Sequence, residues 1–84
     1  MAKDEIVAKD ELRNRLRAAR IEQHLSQQEL ADMAGVTRQT ISAIENCQYV
    51  PSTLLAFVLA RCLGKAVTEL FYLEEVTGDE KARC

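Results

Sequence analysis

The sequence is poor in residues that interrupt helices, with one proline and three glycines among 84 residues. Proline removes a backbone donor and glycine loses the most conformational freedom on ordering, so their scarcity excludes a loop-rich or collagen-like chain and favours helices. Tryptophan is absent, His24 is the single histidine, and Cys47, Cys62 and Cys84 lack any CxxC spacing. That set makes no recognisable zinc pattern, no metal site is expected, and Cys62 reads as a small apolar packing residue. With one imidazole near a helix end, no glycine-rich phosphate loop and no paired carboxylates, nothing supports an enzyme or calls for a cofactor. No stretch approaches the roughly 20 apolar residues of a membrane span, and the opening MAKDEIVAKDE is too acidic and polar for a secretory signal. The expectation is a cytoplasmic protein with no membrane partner.

What is present is an even mixture of apolar residues, at 48%, and charged residues, at 29%, which favours one ordered domain over disorder. The formal net charge is −2, but the charge is unevenly placed. Asp10 to Leu25 holds four arginines against three acids, whereas Phe71 to Cys84 holds four acids against two bases. A field split this way leaves one face able to meet an anionic surface while the acidic end points away.

Periodicity and capping signals divide the chain into five helices. Leu12, Leu16 and Ala19 share a helical face, Asp10 is a suitable N-cap, and His24 closes the element. The spacing therefore predicts a first helix from about Asp10 to His24, preceded by an arm over residues 1–9. Ser26 followed by Glu29 is a capping box, with Leu25 as its staple, so a second helix starts at Gln27 and stops at Gly35. Thr37 caps a third helix built on Ile41 and Ile44 that ends around Asn46. Ser52 caps a fourth, the most apolar, carrying Leu54, Leu55, Val58, Leu59 and Leu63 up to Gly64. A short fifth helix spans roughly Val67 to Phe71, and Tyr72 to Val76 has the composition of a strand. The organisation is an arm over 1–9, a domain over 10–73 and an acidic tail over 74–84.

Two short helices with a glycine in the turn between them are the helix-turn-helix unit, whose second helix enters the DNA major groove. In QQELADMAGVTRQTISAIEN the inner face is Leu30, Ala34, Val36, Ile41 and Ile44, Ala31 is small where the helices approach, and Gly35 sits at the turn. Together with Tyr49, Pro51, LAFVLARCLG and ELF, this run resembles the Cro/C1-type (XRE) transcriptional regulators over about Leu12 to Phe71. The resemblance implies an all-α, compact five-helix DNA-binding domain, here with room for a short C-terminal strand. It further implies a homodimer that binds a short palindromic operator in double-stranded DNA.

Carried over position by position, the resemblance assigns base contacts to Arg38, Gln39 and Ala43. Arginine pairs with guanine and glutamine with adenine, while the Ala43 methyl has only a thymine methyl to touch. Gln27, Thr37, Thr40 and Asn46 fall where the family holds the DNA backbone. Arg20 and Glu45 fall where many members have a buried ion pair, whereas Arg13, Arg15 and Arg17 read as a solvated helix face. Phe71, Tyr72, Leu73 and Val76 are the candidates for a dimer interface. Two positions depart from the family pattern. Cys47 replaces a usual glycine, so either Asn46 takes the left-handed conformation or the turn is strained, and Ala66 replaces a Ser or Thr cap, which should make the fifth helix the least stable.

The reading is a sequence-specific transcriptional regulator of the repressor type. The alternative is an antitoxin-like protein that binds a protein partner through Phe71 to Cys84 and autoregulates its operon.

Overall fold

The structure, a computed structural model, describes residues 10–75. Five helices pack around one apolar centre: α1 (Leu16–Glu22), α2 (Gln27–Ala34), α3 (Arg38–Glu45), α4 (Thr53–Leu63) and α5 (Val67–Leu70). They are flanked by two strands, β1 (Asp10–Asn14) and β2 (Phe71–Glu75), which pair antiparallel with Asp10 opposite Glu75 and Asn14 opposite Phe71. The fold is therefore helical but not purely all-α.

The strand β1 corrects the predicted helix from Asp10. Leu12 and Leu16 are four apart, which satisfies a helical face, yet Leu12 lies in β1 and packs against the core from there. The deciding interaction is non-local: FYLEE in β2 exposes backbone donors and acceptors that β1 satisfies, and a helix over 10–14 would leave that edge unpaired. Side chains also fix the register. Glu11 and Glu74 stand directly opposite each other, a repulsive pairing, and the Arg13 guanidinium bonds both carboxylates at 2.8 Å. Arg13 is consequently buried, not part of a solvated face. Its hydrogen bond to Glu11, followed by the fields and contact of Glu74, raises its pKa further above the ordinary arginine value.

The start of α1 is set by Asn14 in place of Asp10. Its Oδ1 accepts from the Leu16 N–H at 3.1 Å, while its Nδ2 donates to the Ile44 carbonyl at 2.9 Å. One amide thus joins the sheet, the first turn of α1 and the last turn of α3. At the other end of α1, His24 adopts a left-handed φ of 60°, and the Leu25 N–H returns to the Arg20 carbonyl.

The remaining helix ends follow their local chemistry. Ser26 Oγ accepts from Glu29 N at 3.0 Å and Glu29 Oε1 accepts from Ser26 N at 2.8 Å, completing the capping box of α2. Gly35, with φ 77°, terminates α2 in the conformation that glycine adopts without steric cost. Thr37 and Ser52 cap α3 and α4 through their hydroxyls. Ala66 has no side-chain acceptor, so α5 begins with half a box, the Ala66 N–H donating to Glu69 Oε1 at 2.7 Å. After α3 it is Cys47, not Asn46, that takes the left-handed conformation, with φ 58°. Leu16, Leu30, Ile41, Ile44, Leu59, Leu63 and Leu70 are fully buried and form the centre against which α2 and α3 are held.

Candidate nucleic-acid interface

The α2–turn–α3 unit derives its rigidity from its inner face. Leu30, Ala31, Ile41 and Ile44 are completely buried, and Ala34 and Val36 pack against the same cluster. Pinning one face of α3 leaves the opposite face outward in a fixed orientation. Arg38 and Gln39, in its first turn, are exposed, and Ala43 lies half-buried one turn on. A guanidinium offers several donors and an amide offers both a donor and an acceptor, so this turn carries the hydrogen-bonding groups suited to base edges. Because it is the first turn, the Arg38 and Gln39 N–H groups lack intrahelical acceptors.

Behind this surface runs a continuous set of hydrogen bonds. Arg20 and Glu45 form a buried ion pair, with Nε to Oε2 at 2.6 Å and Nη2 to Oε1 at 3.3 Å. Arg20 Nη1 also donates to the Leu25 carbonyl at 2.8 Å. Glu45 Oε1 accepts from Gln27 Nε2 at 3.0 Å, and Gln27 Oε1 in turn accepts from Arg38 Nη1 at 3.4 Å. Gln27 therefore links the buried charge pair to an exposed arginine of α3. Both ends of its amide are engaged within the chain, a role that sequence separation gave no means of reading.

Thr37 and Thr40 have their hydroxyls 3.1 Å apart, and Thr37 Oγ1 also accepts from the Thr40 N–H. Asn46 is exposed at the end of α3, with Nδ2 at 3.5 Å from Ser42 Oγ. Between these elements the outer surface of α3 is indented. An open hollow of about 290 Å³ is lined by Thr37, Gln39, Thr40, Ala43 and Tyr49. Tyr49 entered the sequence reading only as part of the motif, and the structure brings it against the face of α3.

The residues singled out for dimerisation that are described lie side by side on β2 in different surroundings. Phe71 is taken up by the chain's own core, Tyr72 lies beneath the Arg15 guanidinium at 4.2 Å from the ring centroid, and Leu73 is exposed. Val76 falls outside the described residues. Of the three arginines read as a solvated face, Arg17 is exposed, Arg15 is stacked on Tyr72, and Arg13 is buried in the sheet.

The helix-turn-helix family model matches residues 16–70, the span from the start of α1 to the end of α5. The chain belongs to this helix-turn-helix family. It is 46% identical over 65 residues to an uncharacterized HTH-type transcriptional regulator of Methanothermobacter thermautotrophicus, a match covering 76% of this chain and 94% of the relative. It is 39% identical over 64 residues to the HTH-type transcriptional regulator YgzD of Bacillus subtilis, covering 76% and 97%. Among solved structures it is similar to the restriction-modification controller protein C.AhdI from Aeromonas hydrophila, with a TM-score of 0.63 and 33% identity over 66% of this chain and 80% of that one.

This helix-turn-helix protein is thus a transcriptional regulator with a DNA-binding domain of the Cro/C1 type. Its two strands lie outside the matched span and add a sheet to the helical frame. Among the described residues, no helix is long and apolar enough to cross a membrane.

Proposed function

We propose that the protein is a sequence-specific repressor that binds a near-palindromic operator as a homodimer, with α3 of each copy in the major groove. The observation that carries this reading is the placement of Arg38 and Gln39, exposed and adjacent at the start of a helix whose opposite face is fully buried. In this reading Arg38 recognises guanine, Gln39 recognises adenine, and Ala43 faces the groove, each good bidentate pair contributing about 1 to 3 kcal/mol of discrimination. Gln27, Thr37, Thr40 and Asn46 flank the groove-facing turn and serve as backbone contacts, with the first-turn N–H groups of α3 directed at phosphate. Arg38 is already tethered by Gln27, which lowers the entropy lost when it engages a base. A cytoplasmic location is part of this reading, since the operator DNA must be within reach of the protein.

The second copy is proposed to rest on α4. Leu54 and Phe57 are 74% and 58% exposed, three apart on one helical face, and neighbouring Val50 is 65% exposed. An apolar face of this kind, with exposed Arg61 one turn beyond Phe57 at its end, can meet its own copy across a two-fold axis. Leu73, on β2, stands as a separate exposed leucine.

Selection of bound sequences from a random duplex pool at near-physiological salt tests the reading. Wild type should enrich a palindrome with half-sites about one helical turn apart, and the Arg38→Ala, Gln39→Ala double variant should blur it. No enrichment by the wild type would overturn base reading and favour a protein whose principal partner is another protein.

A further inference from the structure

The two ends of α3 offer a DNA backbone opposite conditions. Its eight residues make a helix about 12 Å long, close to the width of the major groove, so both ends come near a phosphate strand when it lies there. At the N-terminus, unpaired N–H groups and the positive end of the helix dipole favour phosphate, whereas at the C-terminus the last carbonyls and the negative end oppose it. Between Arg38 and Arg61 the sequence has no lysine or arginine, so the chain that forms and follows this unfavourable end supplies no cation of its own. The structure brings one from a different element. An open hollow of about 420 Å³ beside the end of α3 has Asn14, Arg15, Arg17, Glu45 and Asn46 in its lining. Its charged members are not equivalent. Glu45 is buried and engaged by Arg20 and Gln27, and Arg15 is stacked on Tyr72. Arg17 is exposed and makes no hydrogen bond, ion pair or ring contact among the described residues.

We propose that Arg17, reaching from α1, is the cationic clamp for the DNA phosphate that passes the C-terminal end of α3, supplying the charge that this helix end lacks. The proposal rests on α3 lying in the major groove as argued above, and it takes Arg17 out of the solvated face to which its sequence position assigned it. Asn46, whose amide is held by a long 3.5 Å contact to Ser42 Oγ, shares the hollow and offers the same phosphate a neutral donor. A phosphate contact carries no base information, so Arg17 contributes affinity and register, not sequence preference.

The test titrates the operator recovered by selection with wild type, Arg17→Ala and Arg17→Lys over a series of salt concentrations. Each phosphate contact contributes about 0.9 to the slope of log affinity against log salt, so a dimer of Arg17→Ala should have a slope shallower by about 1.8. Arg17→Lys should keep the wild-type slope, because an ammonium serves phosphate as a point charge. The loss in Arg17→Ala should be of similar fold on operator and on random duplex. A scan of the operator with single neutral methylphosphonates should then find one backbone position per half-site where wild type loses affinity and Arg17→Ala does not, a signature that a merely structural role would not produce. Thermal melting is the folding control, and the exposed Arg17 can be replaced without moving it. An unchanged salt slope in Arg17→Ala, a loss confined to the operator, or the absence of any methylphosphonate position that distinguishes the two proteins would overturn the clamp while leaving base reading by Arg38 and Gln39 intact. Failure of wild type to enrich any operator would instead remove the reading on which the clamp rests.

Discussion

Glu45 is the residue on which most of the interface depends, because it accepts from Arg20 on one side and from Gln27 on the other. Replacing it with alanine strands the Arg20 guanidinium inside the fold, for which removal of one partner of a buried pair costs about 3 to 5 kcal/mol. Urea denaturation of Glu45→Ala should register a loss of that size, and a loss below about 1 kcal/mol would mean that solvent reaches Arg20 readily. His24 makes the opposite case. A left-handed φ of 60° strains a residue with a Cβ by about 1 to 2 kcal/mol, so His24→Gly should gain up to about 1 kcal/mol once the added freedom of the unfolded chain is deducted. Thermal unfolding measures it. At this scale the sequence was legible where chemistry is local or shared with the family: the positions of Arg20 and Glu45 came from the resemblance, and their contact is a 2.6 Å bond. Arg13 was not legible, since its partner Glu74 lies on a strand at the far end of the described chain and no short-range pattern points to it.

Elements were legible to the extent that their ends carry their own instructions. Ser26 with Glu29, Thr37, Ser52, Gly35 and Gly64 each mark a boundary through groups within three residues of it: α2 and α4 begin and end, and α3 begins, where those groups place them. Over Asp10 to Asn14 the local signal misleads, because Asp10 has the chemistry of an N-cap yet lies in a strand. The same residues satisfy a helical spacing, and only the ladder to β2 decides for a strand, which is a tertiary override of local propensity. Arg13→Met tests that account. Without the guanidinium, Glu11 and Glu74 face each other unneutralised, so amide exchange should accelerate over 10–14 and 71–75 while α2 and α3 keep their protection. Equal acceleration throughout would mean that the sheet and the helices open as one unit.

At the scale of the whole molecule, the question is how a protein of net charge −2 holds DNA. Phosphate affinity rises with the number of cations brought to the backbone, and two of the arginines near the N-terminus, Arg13 and Arg15, are committed to Glu11, Glu74 and Tyr72. One copy should therefore bind weakly, and useful affinity should come from two copies on one operator, where the second contact is effectively intramolecular. That makes the apolar face of α4 essential to the proposed activity. Phe57→Asp should produce a monomer in sedimentation experiments at concentrations where wild type is dimeric, and should abolish preference for the full palindrome over a single half-site. Leu73→Asp, on the other face, should do neither. A monomeric Leu73→Asp variant alongside a dimeric Phe57→Asp variant would move the two-fold axis to β2, and the spacing between half-sites would then have to be explained from the sheet instead of from α4.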